Sequence, residues 1–147
     1  MQPSGARHRV VAFGMSLAVL AFVDRAVIAQ AAPLISADLG FDKVMMGTVL
    51  STFLLGYGLF EVPGAWYGDW VGARKGLMRI VLMWSAFTAL TGAAWNFASM
   101  VVVRFLFGAG EAGCFPNLAK SLTTWLPRSE RTRAQGFIWT AARWGGA

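Results

Sequence analysis

Long apolar stretches alternate with short polar ones along this chain. Residues 10–32 are almost wholly apolar apart from Asp24 and Arg25, and residues 44–66 are broken only by Glu61 and by Pro63-Gly64 near their end. Residues 77–94 carry one charge, Arg79, close to their start. Residues 99–125 hold Arg104, Glu111 and Lys120, and residues 134–147 open a fifth apolar segment. At about 1.5 Å per residue the first stretch reaches about 35 Å as a helix, enough to cross a hydrocarbon layer of about 30 Å. The pattern predicts an all-α membrane protein with four transmembrane helices and the start of a fifth, occupying residues 1–147 as one partial transmembrane domain. Residues 33–43, 68–74 and 128–133 are expected as loops, and Trp95-Asn96 as a minimal turn.

Composition and charge sharpen that picture. Hydrophobic residues make up 56% of the chain and charged residues only 14%, with a mean hydropathy of +0.54. A soluble domain carries about 25% charged residues. The net charge of +6 would fit nucleic acid, but the basic residues fall in alternate connections. Arg7 and Arg9 precede the first span, Arg74, Lys75 and Arg79 flank the second connection, and Arg128, Arg131 and Arg133 follow the fourth span. The opposite side has only Lys43. The positive-inside rule then puts the N-terminus in the cytoplasm, and the partner of the positive charge is the lipid bilayer, not nucleic acid. A rival reading takes residues 7–31 as a cleavable signal peptide, and Asp24-Arg25, between apolar run and cleavage site, weighs against it. A single cysteine excludes an internal disulfide.

Candidate chemistry concentrates on charges at membrane depth. Arg104 and Glu111 are seven residues apart, nearly two helical turns, so one helix face carries both. Such charges are costly in a bilayer and default to function. Asp24 and Arg25, as neighbours, point about 100° apart and look for partners on other helices. Two acids and two bases of this kind offer what a proton-coupled anion site needs: a cation to hold a carboxylate and an acid whose protonation depends on occupancy. Tyr57 can hydrogen-bond a substrate or be satisfied by a neighbouring helix. Glu61 is expected as a gate or interface residue, and Lys120 as a snorkelling cation. Pro116 is expected to bend the fourth span.

Gly108-Ala-Gly110-Glu-Ala-Gly113 matches G-x-G-x-x-G, but Glu130, the acid beyond it, has no strand before it, so helix packing is the expected use. Gly64, Gly68, Gly72 and Gly76 recur every four residues, and tight turns are expected of them because most lie in or beside a loop. No metal-ligand spacing, no hydrolytic triad and no cofactor motif is present, and His8 is expected as a solvated tail residue.

These residues resemble a known family. Asp24-Arg25 with Ala32-Pro33, Ser51 to Gly58, Pro63-Gly64, the Gly68-Asp69-Trp-Val-Gly72-Ala-Arg74-Lys75 stretch, Trp84-Ser85, Arg104 to Pro116, Trp125-Leu-Pro127, Glu130-Arg131 and Ala134-Gln135-Gly136 follow in an order and spacing similar to the major facilitator superfamily. Within it the likeness is to the anion:cation symporter group of hexuronate, galactonate, glucarate and phthalate permeases. The resemblance covers essentially the whole chain. It implies part of the N-terminal six-helix half of a twelve-helix fold, in the bacterial cytoplasmic membrane, working by alternating access without enzyme activity or cofactor.

It further implies that Arg25 and Tyr57 bind a small organic anion, that Asp24 and Glu111 carry protons with Arg104 pairing to them, and that Asp69, Gly72 and Arg74 belong to a cytoplasmic gating motif. Departures are Phe22 where tyrosine is frequent, Glu61 for glutamine, Trp70 for arginine and Ala65 for glycine. Four spans and part of a fifth cannot enclose the cavity of a twelve-helix transporter. The chain is therefore expected to need the missing C-terminal half, and not to transport alone. The alternative is a non-transporting membrane remnant or assembly module.

Overall fold

The computed structural model describes residues 5–146, so the outer ends of the expected 1–147 domain and of its fifth segment lie outside the described residues. Among the described residues six helices follow one another: α1 (Gly5–Leu39), α2 (Lys43–Val71), α3 (Ala73–Gly92), α4 (Phe97–Glu111), α5 (Cys114–Trp125) and α6 (Arg128–Gly145). No strand occurs among the described residues. Gly5–Leu39, Lys43–Val71 and the nearly continuous Phe97–Trp125 are long and apolar enough to cross a membrane. The expected third span, α3, is not among these. Arg74, Lys75 and Arg79 crowd its first two turns and lower its hydropathy.

The helices run further than the apolar stretches. α1 continues through Pro33 to Leu39, and α2 through Pro63 to Val71. The expected loop over 33–43 shrinks to three residues, and the expected 68–74 loop to Gly72 alone. A proline removes one backbone donor, which membrane helices absorb by local adjustment. Sharp ends come instead from caps. Asp42 accepts from the Met45 N–H at 2.7 Å at the start of α2. Asn96 and Ser99 form a reciprocal capping box at the start of α4. The fourth span is interrupted at Ala112-Gly113, where Gly113 takes φ +82°. That break lies three to four residues before Pro116, whose ring would crowd the Ala112 carbonyl in a continuous helix.

The chain divides into two compact units. The first holds residues 5–30 and 118–146. Its core is Leu17, Ala18, Ala21 and Ile28 of α1, Leu118 and Leu122 of α5, and Ala134, Ile138, Ala141 and Ala142 of α6. α1 and α6 run parallel: Arg7 meets Glu130, Gly14 faces Ile138, and Gly145 lies against the Val19 carbonyl. The basic N-terminal turns of both helices, with Arg7, Arg9, Arg128, Arg131 and Arg133, therefore sit at one end of this unit. Arg131 caps the end of α5 there, donating to the Thr123 and Leu126 carbonyls at 2.7 and 3.0 Å.

The second unit holds residues 31–117. Here α2 and α4 run parallel in backbone contact. A Cβ added to Gly56 would strike the Phe105 carbonyl, one on Gly108 the Phe53 carbonyl, and one on Gly64 would lie 2.7 Å from the Ala112 carbonyl. Beyond the break, Gly68 and Gly76 both close on the Asn117 side chain. This corrects the expected use of the recurring glycines. Gly64, Gly68 and Gly76 are packing residues on helices, and only Gly72, at φ +90°, makes a turn. At the other end of the seam Phe41, Met46, Val49 and Met100 form a core cluster, with the Phe41 and Phe97 rings edge to face at 5.7 Å.

Candidate functional site

The α2–α4 seam positions the most deeply buried charges of the chain. Arg104 and Glu111 both lie on α4, Arg104 only 4% exposed and Glu111 fully buried. Their spacing turns both to one face, as expected. The Arg104 guanidinium carbon sits 4.9 Å from the Phe53 ring centroid and 4.8 Å from that of Phe107. Two aromatic faces thus flank the cation, an arrangement that favours the charged guanidinium out of water. Phe53 and Phe107 contact each other at 5.6 Å, and the Tyr57 ring lies 6.2 Å from Phe53. Gly108 makes this convergence possible, because its missing side chain lets α4 touch the backbone at Phe53 and Tyr57. Tyr57 itself is half-buried.

Asp24 and Arg25 belong to the first unit. Both are half-buried on α1, and the Arg25 guanidinium lies 5.5 Å from the ring of Phe22. The phenylalanine at position 22 therefore serves as an aromatic neighbour of the cation. Asp24, Arg25, Tyr57, Arg104 and Glu111 are all engaged in polar or ring contacts.

Asp69 lies on the last turn of α2, exposed, and not in a loop. The Gly72 N–H donates to the Gly68 carbonyl at 2.9 Å, closing the corner before α3. Arg74 is exposed on the first turn of α3. The Arg79 guanidinium carbon lies 5.1 Å from the ring centroid of Tyr67. His8 is part of the first turn of α1 and not of a free tail.

Sequence reasoning missed Asn117. It is 1% exposed and its amide donates to the Gly113 and Gly64 carbonyls at 2.8 and 3.2 Å. It thereby ties the start of α5 to α2 in a cradle of Gly64, Gly68 and Gly76. The available signal was the glycine spacing itself, which fits a large partner as well as it fits a turn.

Elsewhere the helices expose large apolar residues outward. On α1 these are Phe13, Leu20, Val27 and Leu34, seven residues apart, and on α2 they include Leu55, Leu59, Val62 and Trp66. With charges buried and apolar side chains outside, these helices define an all-α integral membrane protein. The chain belongs to the Major Facilitator Superfamily, whose sequence model matches residues 14–147.

Named relatives agree. The chain is 38% identical over 141 residues to the probable sulfoacetate transporter SauU of Cupriavidus necator, covering 96% of this chain and 33% of that one. It is 31% identical over 138 residues to the hexuronate transporter of Bacillus subtilis, covering 94% and 33%. Identity to the D-galactonate transporter of Escherichia coli is 34% over 136 residues, covering 92% and 32%. Among solved structures, a bacterial homologue of the human lysosomal transporter Spinster, inward-facing and occupied, superposes with a TM-score of 0.84 at 26% identity, over 99% of this chain and 31% of that one. The chain thus spans about one third of the length of these relatives.

Proposed function

We propose that these helices form part of a secondary active transporter that carries a small organic anion, a sugar acid or another carboxylate, together with protons by alternating access. The observation that carries this reading is the burial of Arg104 and Glu111 on one helix of a membrane protein whose relatives are named for sulfoacetate, hexuronate and galactonate. A buried cation flanked by aromatic rings holds its charge where an anion is to be attracted. A buried carboxyl nearby in sequence can exist as a neutral acid or as a carboxylate balanced by that cation. Taking up a proton at Glu111 leaves the Arg104 charge to act on an arriving anion, and losing it restores the balance.

In this reading Arg25 and Tyr57 bind the anion. Asp24 and Glu111 carry protons, and Arg104 sets their electrostatic environment. Asp69, Gly72 and Arg74 serve the cytoplasmic gating motif. The protein resides in a bacterial cytoplasmic membrane with the N-terminus in the cytoplasm, and it works with a C-terminal half of the kind the family architecture calls for. No step makes or breaks a covalent bond other than to a proton.

Proteoliposomes holding these residues together with such a C-terminal half test the proposal. Glu111→Gln is expected to abolish proton-driven accumulation of a sugar acid while sparing exchange. Accumulation at the wild-type level removes Glu111 from the coupling. Arg25→Ala is expected to eliminate binding of the anion, and intact binding refutes that assignment.

A further inference from the structure

Glu61 has no part in the scheme above, yet α2 carries it to membrane depth. The helix runs from Lys43 to Val71, and Asp69 lies exposed on its last turn. A crossing takes about 20 residues. Every stretch of about that length between Lys43 and Asp69 includes Glu61. Its depth follows from α2 alone, whatever lies around the helix. An ionisable side chain there is costly and defaults to function.

The seam with α4 sets the level of this residue. Gly56 lies against Phe105 and Ala109, and Gly64 against Ala112 and Gly113. Position 61, between those two glycines, is therefore level with residues 109–112, the stretch that holds Glu111. The flank is the same as well. Arg104 meets Phe53, and Phe53 meets Tyr57. One turn on from Tyr57, its face of α2 carries Glu61, and two turns on from Arg104, its face of α4 carries Glu111. The other charges lie further along. The Arg104 guanidinium is at the level of Phe53, eight residues or about 12 Å from Glu61. That of Arg79 on α3 is at the level of Tyr67, six residues or about 9 Å in the opposite direction. Arg74 and Lys75 lie at the start of α3, and Asp42 and Lys43 at the start of α2.

Glu111 has no exposed surface, and further chain packed on this unit only buries it more. A proton that reaches or leaves it needs a neighbouring group to pass through. We propose that Glu61 is that group, the proton relay of Glu111. The Glu61 carboxyl gives its proton to the Glu111 carboxylate when an arriving anion takes up the Arg104 charge. The Glu61 carboxylate left behind then takes a proton from water, and on release both transfers reverse. Glu61 ends each exchange as it began, so it sets the rate of proton transfer and not the number of protons carried. The inference deepens the transport reading above and rests on it.

The test joins these residues to a C-terminal half, in detergent with a pH-indicating dye, and mixes in sulfoacetate, a hexuronate or galactonate by stopped flow. The parent protein is expected to take up a proton as the anion binds. Glu61→Gln is expected to slow that uptake about a hundredfold, the low end of what a positioned acid contributes, with the protons taken up per anion unchanged. The unchanged amplitude also shows that the variant is folded. Glu61→Asp, which keeps the carboxyl, is expected to recover most of the rate. Azide, a small weak acid, is expected to restore the rate in Glu61→Ala but not in Glu111→Gln, which has no carboxylate to protonate. Uptake by Glu61→Gln at the parent rate overturns the relay, and so does a slow Glu61→Ala that azide leaves slow. A smaller amplitude in Glu61→Gln overturns it too, by making Glu61 a proton carrier or a structural residue. A parent protein that binds the anion and takes up no proton fails the transport reading itself, and the relay with it.

Discussion

Both units pair parallel helices over glycine, yet they do so in different ways. In the first unit α6 meets a backbone carbonyl of α1 at Gly145, against Val19, but at Gly14 an added Cβ would meet side chains alone, the tip of Ile138 nearest at 3.0 Å. The tip of a side chain can move aside. In the second unit the obstacles at Gly56, Gly64 and Gly108 are backbone carbonyls, which cannot move without moving a helix. The charges follow the same division. Arg104 and Glu111 are buried beside the backbone-contact seam, while Asp24 and Arg25 on α1 are half-buried. A seam with no slack fixes the side chains it carries. The second unit has three such contacts along one helix pair, and the first combines one at Gly145 with the looser approach at Gly14.

The largest expected effect breaks that rigidity directly. Gly108→Val would drive a branched side chain against the Phe53 carbonyl and the Tyr57 amide. A loss of about 3 kcal/mol is expected, at the upper end of overpacking costs. Gly14→Ala should lose less than about 1 kcal/mol, since one methyl displaces only a flexible side chain. Unfolding of both variants in a detergent titration followed by circular dichroism gives the two numbers. Similar losses at the two sites would remove the contrast between the seams.

The aromatic neighbours of the two arginines sharpen the comparison at a smaller scale. Phe53→Leu takes one of two ring faces from buried Arg104 and should cost about 2 kcal/mol, the range for a desolvated cation on a ring. Phe22→Leu removes the ring beside half-buried Arg25 and should cost about 0.5 kcal/mol, as at more exposed sites. The same unfolding titration reads both. A cost at Phe22 equal to that at Phe53 would show that burial does not set the strength of these contacts.

The extent to which this was legible beforehand depends on whether a feature is local. Hydropathy located the apolar stretches, and alternating basic residues foretold that Arg7, Arg9, Arg128, Arg131 and Arg133 share one end. The face shared by Arg104 and Glu111 follows from helical spacing alone. The helix ends did not follow: a loop was expected from Pro33 onward although a proline costs a single backbone bond inside a membrane helix, and the second span was expected to end at residue 66, five residues short of Val71. The roles of Gly64, Gly68 and Gly76 were misread for a different reason. A glycine states that something comes close, without stating what, and its partner Asn117 is far away in sequence. Likewise Phe53 stacks on Arg104 from another helix, a pairing that no spacing rule encodes.

The smallest effect has the opposite sign. Gly136 on α6 and Gly58 on α2 have nothing within 4 Å of an added Cβ, and neither has a positive φ. Neither glycine is used for a turn or a close approach. Each therefore only adds conformational freedom to the unfolded chain and lowers helix propensity. Gly136→Ala and Gly58→Ala are expected to stabilise by about 0.5 kcal/mol each. The two should behave alike even though they lie in different units, because what decides the sign is the space around the residue and not the unit that holds it. A destabilised Gly58→Ala beside a stabilised Gly136→Ala in the same unfolding titration would mean that the whole second unit, and not its seam alone, lacks slack.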